Sequence, residues 1–232
     1  MGSTQSWVWS SLGKKFLMGL SGLALFGFVA VHLSENLILI VGTKTLYNQW
    51  THTLESLGPL LYLIELGLTG VFVLHIVTGI SVWLDKRRAR PTPYVKVANA
   101  GPPSRKSLSS VTMIITGAVL LLFVIVHVKT FKYGPGIAEG YVQSIDGLEV
   151  RDLHRLVLET FSREGYVIFY VAVMVFLGFH LGHGFWSAFQ SLGAMNPRLT
   201  PVSYGLGVFL AIVIGLGFIV LPVWIYVTGG GA

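Results

Sequence analysis

Histidine offers the most chemistry in this sequence, because the chain contains no cysteine. Without cysteine, disulfides, thiolate-bound iron–sulfur clusters, cysteine-zinc sites and covalently attached c-type haem are excluded. A redox cofactor bound by this chain alone must therefore use histidine, methionine or oxygen ligands. The chain has seven histidines: His32, His52, His75, His127, His154, His180 and His183.

Five of these histidines, all except His52 and His154, fall inside long apolar stretches. An ionisable side chain within a membrane span is costly and marks a candidate functional site. For one such histidine, a hydrogen bond to a neighbouring helix would be an equally good explanation. Five of them at related depths favour a shared function. His52 and His154 fall in polar segments, where we expect solvated loop residues.

The composition predicts the elements that must position these histidines. Hydrophobic residues make up 53% of the 232 residues and charged residues only 11%, whereas soluble domains carry about 25% charged residues. We therefore predict an all-α membrane protein, a five-transmembrane-helix bundle that forms a single membrane domain over residues 1–232. We expect a short amphipathic surface helix at about 150–161. Helices long enough to span about 30 Å are predicted at about 15–41, 60–84, 108–131, 165–190 and 203–227.

The basic residues predict the orientation of this bundle. If the N-terminus is cytoplasmic, the inner segments hold ten of the sixteen lysines and arginines but one acid, Asp85. The positive-inside rule then places the C-terminus outside. We expect a multi-pass protein of a bacterial-type inner (cytoplasmic) membrane. The basic, proline-rich segment 85–107 either serves this rule or forms a docking surface for a cytoplasmic partner.

The helix directions sort four histidines into two layers. The first and third helices run outward, so His32 and His127 lie roughly 25 and 28 Å from the inner helix ends. The second and fourth helices run inward, so His75 and His180 lie about 14 and 15 Å from those ends. The layers, an outer pair and an inner pair, are separated by on the order of 12 Å.

Each layer offers two imidazoles from two different helices, which is what bis-histidine ligation of a b-type haem requires. Two stacked haems would carry electrons across the membrane. A proton relay also uses histidines but does not need paired depths. A zinc site needs three or four ligands, and neither layer supplies them without His183.

Residues near the inner pair suggest haem surroundings. Gly178, Gly182 and Gly79 would leave room for a flat macrocycle, although helix packing explains them almost as well. Ser21 lies eleven residues before His32 on the same helix face, near the inner layer, where it can hydrogen-bond an inner haem. His183 can replace His180 as ligand, bind a propionate or face a quinone. We see no internal sequence repeat.

The helix succession with its four histidines resembles the dihaem cytochrome b membrane anchor of type B succinate:quinone oxidoreductases, the succinate dehydrogenase and fumarate reductase complexes. The stretch FHLGHGFW at 179–186 is similar to the F-H-x-x-x-G-x-W that surrounds the family's fourth ligand, and HLSENL at 32–37 also looks familial. The resemblance covers nearly the whole chain through helix count and histidine placement.

This resemblance implies two haem b groups, a distal one on His32 and His127 and a proximal one on His75 and His180. It implies a flavoprotein that oxidises succinate and an iron–sulfur protein as cytoplasmic partners, so the chain would be a membrane subunit that exchanges electrons with menaquinone or another quinone. Glu55 is the candidate acid of the quinone site, or else a solvated loop glutamate. Gly178 replaces the glutamate that some fumarate reductases use for proton return, so that route is not expected.

Two other functions stay open at this point. The chain can be the cytochrome b anchor of another quinone-linked complex, of the hydrogenase or formate dehydrogenase type, although the 179–186 motif argues against it. It can also be a haem-free transporter that uses its histidines as a proton relay.

Overall fold

The computed structural model describes residues 7–89 and 108–230, with side chains of 108–111 left aside. Within them lie eight α-helices and one antiparallel pair of strands. The helices are α1 (Ser11–Asn36), α2 (Ile38–Val41), α3 (Lys44–Glu55), α4 (Pro59–Arg88), α5 (Leu108–Phe131), α6 (Leu153–Phe161), α7 (Glu164–Ser191) and α8 (Leu199–Thr228); the strands are β1 (Val142–Ile145) and β2 (Leu148–Arg151).

Five segments are long and apolar enough to cross a membrane, as predicted: Ser11–Val41, Pro59–Arg88, Thr112–Phe131, Glu164–Ser191 and Leu199–Thr228. The chain is therefore a helical, multi-pass membrane protein. The predicted bounds are too short at several ends, since α1 begins at Ser11 and α4 continues to Arg88. Most of the basic segment 85–107, with its predicted docking or topology role, lies outside the described residues.

Local chemistry explains where these helices begin. The Ser10 side chain accepts a hydrogen bond from the Gly13 N–H at 3.1 Å and caps α1. Gly58 takes a φ of 53° that suits glycine, and Pro59 then starts α4 at a position where its missing N–H costs nothing.

A small polar layer, which we call the cap, covers one end of the bundle and consists of α3, the β1–β2 hairpin and α6. Two parts of it correct the sequence analysis. The segment around His52 is the helix α3 and not a loop, and residues 142–151 form a hairpin that includes the expected start of the surface helix at about 150. The hairpin turn is Asp146-Gly147, both at positive φ, a dipeptide typical of tight hairpins. The predicted surface helix is α6, which begins at Leu153, so His154 is also helical.

Asn48 is the fully buried centre of the cap. Its Nδ2 donates to Gln143 Oε1 at 2.6 Å and to Asp152 Oδ1 at 2.8 Å, while its Oδ1 accepts from the His154 backbone N–H at 2.9 Å. Asp152 also pairs with Lys44 at 2.6 Å. One side-chain amide thus joins α3, the hairpin and α6, and a buried amide with all its partners gives the cap a single arrangement.

Burial and hydrogen bonding shift the pKa values of ionisable groups in the cap. Burial alone would raise the pKa of Asp152, but hydrogen bonds from Lys44, the Arg155 backbone N–H and Asn48 outweigh it and lower that pKa. Burial lowers the pKa of His154, which is therefore favoured in its neutral form. Burial, with the nearby charge of Glu35, raises the pKa of Tyr47.

The tightest helix packing lies between α7 and α8. A Cβ built on Gly182 would lie 3.5 Å from Ala211 Cβ, and one on Gly215 would lie 3.6 Å from Gly178 Cα. Gly178 and Gly182 therefore face α8 and allow its close approach. These contacts favour helix packing over room for a macrocycle as the explanation of these two glycines. A Cβ on Gly79, in contrast, would meet nothing within 4 Å.

The helix α4 is packed far more loosely than α7 and α8. Thr78 is its one buried residue, whereas α7 buries eight residues. At the end opposite the cap, which we call the base, Lys14 forms an ion pair with Asp85 and also donates to Ser81 Oγ at 3.1 Å. This contact ties α1 to α4 at the level below His75.

Candidate functional site

The structure brings four of the seven histidines together in two pairs. His32 on α1 and His127 on α5 have ring centroids 5.7 Å apart and planes at 88°; they form the cap-side pair. His75 on α4 and His180 on α7 have centroids 6.3 Å apart and planes at 74°; they form the base-side pair. Each pair takes one ring from each of two helices, as the depth argument predicted.

The spacing of the rings fits two ligands on opposite sides of one metal ion. An imidazole nitrogen lies about 2.0–2.1 Å from a metal such as zinc and its ring centroid about 1.1 Å further, so ligands on opposite sides have centroids about 6.2–6.4 Å apart. The base-side pair has this separation. The cap-side pair at 5.7 Å needs its rings to separate slightly. Ligation of haem iron by these four residues stays a prediction.

Hydroxyl groups face the base-side pair. Ser21 Oγ lies 3.3 Å from His75 Nδ1, and Thr116 Oγ1 lies 3.0 Å from His180 Nδ1. Both hydroxyl residues are buried, with exposed fractions of 4% and 3%. Ser21 is thus near the inner layer, as expected, but its contact is to the imidazole.

Two glycines lie beside the same rings. A Cβ built on Gly22 would come within 3.2 Å of His75 Cε1, and one on Gly117 within 3.6 Å of His180 Cε1. The first contact is tighter than van der Waals packing allows without a shift. Because glycine has no Cβ, position 22 leaves room for the edge of the His75 ring.

Aromatic residues and an acid surround the cap-side pair. Phe28 stacks on His32 with centroids 5.6 Å apart, and Phe123 stacks on His127 at 5.4 Å. The Tyr170 hydroxyl lies 3.2 Å from His127 Nδ1. Glu35 places Oε2 at 3.8 Å from His32 Nδ1, so a carboxylate lies beside this ring.

Each of the four rings has a polar side chain near its Nδ1. Metal-binding histidines usually have such a neighbour at the ring nitrogen that does not bind the metal. Among residues 7–89 and 112–230, no three or more histidine, cysteine or acidic side chains cluster to hold a metal ion. In the described part of the chain these histidines are therefore grouped in twos, whereas a zinc site draws three or four ligands together.

His183 makes no such pair. Its ring packs against Trp186 with centroids 5.2 Å apart, and the ring contact of His75 is made with His180. The Nδ1 atom of His183 is buried and finds no hydrogen-bond partner in the described part of the chain. A buried polar atom without a partner is costly and fits a site where a further group supplies the partner. Its role toward a haem propionate or quinone stays a prediction.

The acid predicted for the quinone site, Glu55, is exposed at the last residue of α3. Sequence reasoning missed two acids that the structure places nearer to the bundle. Glu35 lies beside His32, and its position three residues after a histidine on one helix is a signal that was available. Glu65, in the second turn of α4, forms an ion pair with Lys132 at the end of α5.

The contacts also reveal a repeat that the sequence analysis did not see. Residues 21–32 read SGLALFGFVAVH and residues 116–127 read TGAVLLLFVIVH, with six of twelve positions identical. Each copy begins with a hydroxyl residue and glycine at the base-side pair and ends with a histidine of the cap-side pair. The equal spacing of eleven residues between hydroxyl and histidine was the missed signal.

Comparison with known proteins adds nothing to this geometry, since no protein family, no curated protein and no solved structure matches the chain.

Proposed function

We propose that this chain is a dihaem cytochrome b that anchors a succinate:quinone oxidoreductase in the membrane. The observation that carries the proposal is the pairing of His32 with His127 and of His75 with His180, each pair drawn from two helices of one apolar bundle. The ring separations and the use of Nδ1 by neighbouring side chains support ligation through Nε2.

The four histidines would hold two b-type haems, the distal one at the cap-side pair and the proximal one at the base-side pair. A haem bound there supplies a one-electron carrier within the membrane. The chain's own part would be to hold two imidazoles in place in each layer. Buried Ser21 and Thr116 contact the base-side imidazoles, and Phe28 and Phe123 stack on the cap-side imidazoles.

The loose packing of α4 supports the same proposal. In a water-soluble or purely structural bundle, a helix with one buried residue would contribute little to stability. Here α4 carries His75, and open space next to Gly79 accompanies it. A bound macrocycle would supply the packing that protein side chains do not.

The identity of the complex is supported by the motifs FHLGHGFW at 179–186 and HLSENL at 32–37, which resemble those of the family. We propose a flavoprotein and an iron–sulfur protein as partners at the cytoplasmic face. The excess of lysine and arginine in the N-terminal and base-side segments supports a cytoplasmic N-terminus and an outer C-terminus in a bacterial-type inner membrane. The base would then face the partners.

A quinone, such as menaquinone, would exchange electrons in this chain, and we keep Glu55 as the proposed acid of that site. An acid coupled to quinone redox chemistry must reach the quinone oxygen to transfer a proton. Glu35 is a second candidate, because it lies beside His32. Replacing each with glutamine and measuring quinone reduction, with haem content as control, separates the two.

The chain should be purified from native membranes in mild detergent. Reduced-minus-oxidised absorption with b-type haem bands at two haems per chain supports the proposal. A chain without haem bands would overturn it and favour the proton-relay transporter. Co-purification of a flavoprotein and an iron–sulfur protein with succinate dehydrogenase activity supports the complex proposed here. Hydrogenase or formate dehydrogenase subunits in their place would overturn that part.

A further inference from the structure

The repeat places a hydroxyl residue at the same position of α1 and α5, and each hydroxyl faces a base-side imidazole. Ser21 on α1 faces His75 of α4, and Thr116 on α5 faces His180 of α7. In each repeat the last residue is a cap-side histidine. Each repeat therefore contributes to both layers. Its first residue contacts a base-side histidine, and its last residue is itself a cap-side histidine.

Backbone carbonyls lie within reach of both hydroxyl protons. The Ser21 hydroxyl can donate to the Leu17 carbonyl at 2.7 Å or to the Met18 carbonyl at 3.2 Å, and the Thr116 hydroxyl can donate to the Met113 carbonyl at 3.1 Å. A hydroxyl has one proton and two acceptor lone pairs, so a hydroxyl that donates to its own helix accepts from the ring. In this arrangement the ring donates from Nδ1–H, and the lone pair of Nε2 is left free.

We infer that Ser21 and Thr116 are positioning residues that fix the tautomer and the crossed orientation of His75 and His180, and thereby set the redox potential of the base-side haem. The inference rests on the proposed function, because it needs haem at this pair. An acceptor at Nδ1–H makes the imidazole a more basic ligand and stabilises the oxidised metal. The hydroxyls therefore lower the affinity of the base-side haem for an electron.

The simpler explanation is that serine and threonine hydroxyls in membrane helices bond their own backbone and do nothing more. Thr69 on α4 offers a matched control for this explanation. Its hydroxyl donates to the Glu65 carbonyl at 2.8 Å and its side chain is exposed. The variant Thr69→Val removes a backbone bond of the same kind without touching an imidazole.

The test uses the assembled complex in membranes or detergent, with Ser21→Ala, Thr116→Val and Thr69→Val. Redox titration of the b-haem absorption gives a potential for each haem, and the component lost in His75→Ala identifies the base-side haem. EPR of the oxidised complex reports the angle between the two imidazole planes, which is 74° here.

We expect Ser21→Ala and Thr116→Val each to raise the electron affinity of the base-side haem about threefold, which is roughly 30 mV for one electron. Its EPR signal should shift because the rings are free to turn, while the cap-side haem and the Thr69→Val complex keep the wild-type values. If both variants keep full haem content with an unchanged base-side potential and EPR signal, the inference is overturned and the proposed function is not.

Three other outcomes are also decisive. If a variant loses the base-side haem, Ser21→Thr or Thr116→Ser should restore it with a near-native potential, and failure to do so would overturn the positioning role. Equal shifts of both haems would also overturn it, because the contacts reach one layer only. A wild-type complex without haem would overturn the proposed function and this inference with it.

Discussion

The two histidine pairs have the same ring geometry in outline and very different surroundings. At the base-side pair, both Nδ1 atoms face neutral hydroxyls within 3.3 Å. At the cap-side pair, one Nδ1 faces a phenol and the other lies 3.8 Å from the carboxylate of Glu35. If each pair holds a haem, as we propose, these unlike surroundings should give the two haems different reduction potentials.

The two layers also differ in the contacts that hold their histidine-bearing helices in place. The base-side pair depends on helix contacts alone, including the Lys14–Asp85 ion pair between α1 and α4. The cap-side pair lies beneath the cap, whose buried centre is Asn48. The Tyr47 hydroxyl of the cap reaches the Asn36 side chain at 3.4 Å, at the end of the helix that carries His32. Changes in the cap should therefore affect one layer and spare the other.

The largest expected effect is loss of one haem when one pair is broken. His75→Ala should remove the base-side haem and His32→Ala the cap-side haem, so each variant retains about half of the b-haem absorbance. The two remaining haems should differ in spectrum and potential. If both variants lose the same component, the assignment of pairs is wrong.

Opening the centre of the cap should have the next largest effect. Asn48→Leu removes three hydrogen bonds and leaves the Asp152 carboxylate buried with fewer partners, at a cost of roughly 2–4 kcal/mol. Thermal loss of the cap-side haem signal should then occur at lower temperature, with the base-side signal changed less. The exposed neighbour Gln49, changed to leucine, is the control.

Acidification should destabilise the cap, because His154 and Asp152 both contribute less stability at lower pH. The pKa of His154 is lower in the folded protein than its unfolded value of 6.5. Its contribution to the stability of the cap is therefore complete above pH 6.5 and decreases as the pH falls below that value. The lowered pKa of Asp152 means that its contribution is lost as the pH falls from 3.8 through the folded value. The cap-side haem spectrum should therefore begin to change as the pH falls below 6.5 and change further below 3.8, before the base-side one. Simultaneous loss of both would contradict this.

The carboxylate beside His32 should set part of the difference in potential between the layers. Glu35→Gln removes a negative charge that stabilises the oxidised haem, so the cap-side potential should rise by about 60 mV, a tenfold change in electron affinity. Redox titration measures this directly. Glu55→Gln, at the exposed end of α3, should leave both potentials unchanged, and an equal shift there would argue against a local effect of Glu35.

The smallest expected effect concerns the glycines beside the base-side pair. The Cβ of Gly22→Ala would lie 3.2 Å from His75 Cε1, so the ring must move by a few tenths of an ångström. The matched variant Gly117→Ala places its Cβ at 3.6 Å from His180, an ordinary contact. EPR of the base-side haem should shift in the first and stay near native in the second. Equal spectra in the two variants would show that the tighter contact has no consequence.

Much of the bundle was predictable because membrane spans depend on length and polarity alone. The five spans and the depths of His32, His75, His127 and His180 follow from apolar runs and a constant helical rise. The cap was harder to predict. Its helix α3 and hairpin are short and polar, and they are stabilised by Asn48 and its partners from distant parts of the chain.

The amino-acid sequence by itself determined how many helices cross the membrane and which histidines share a depth, since both depend on local composition and spacing. Only the tertiary structure decided what faces each ring. It placed Ser21 and Thr116 against the base-side imidazoles, Glu35 beside His32, and Gly178 and Gly182 against α8. The rotation of a helix about its axis depends on its packing partners, and helix length and composition do not specify that rotation.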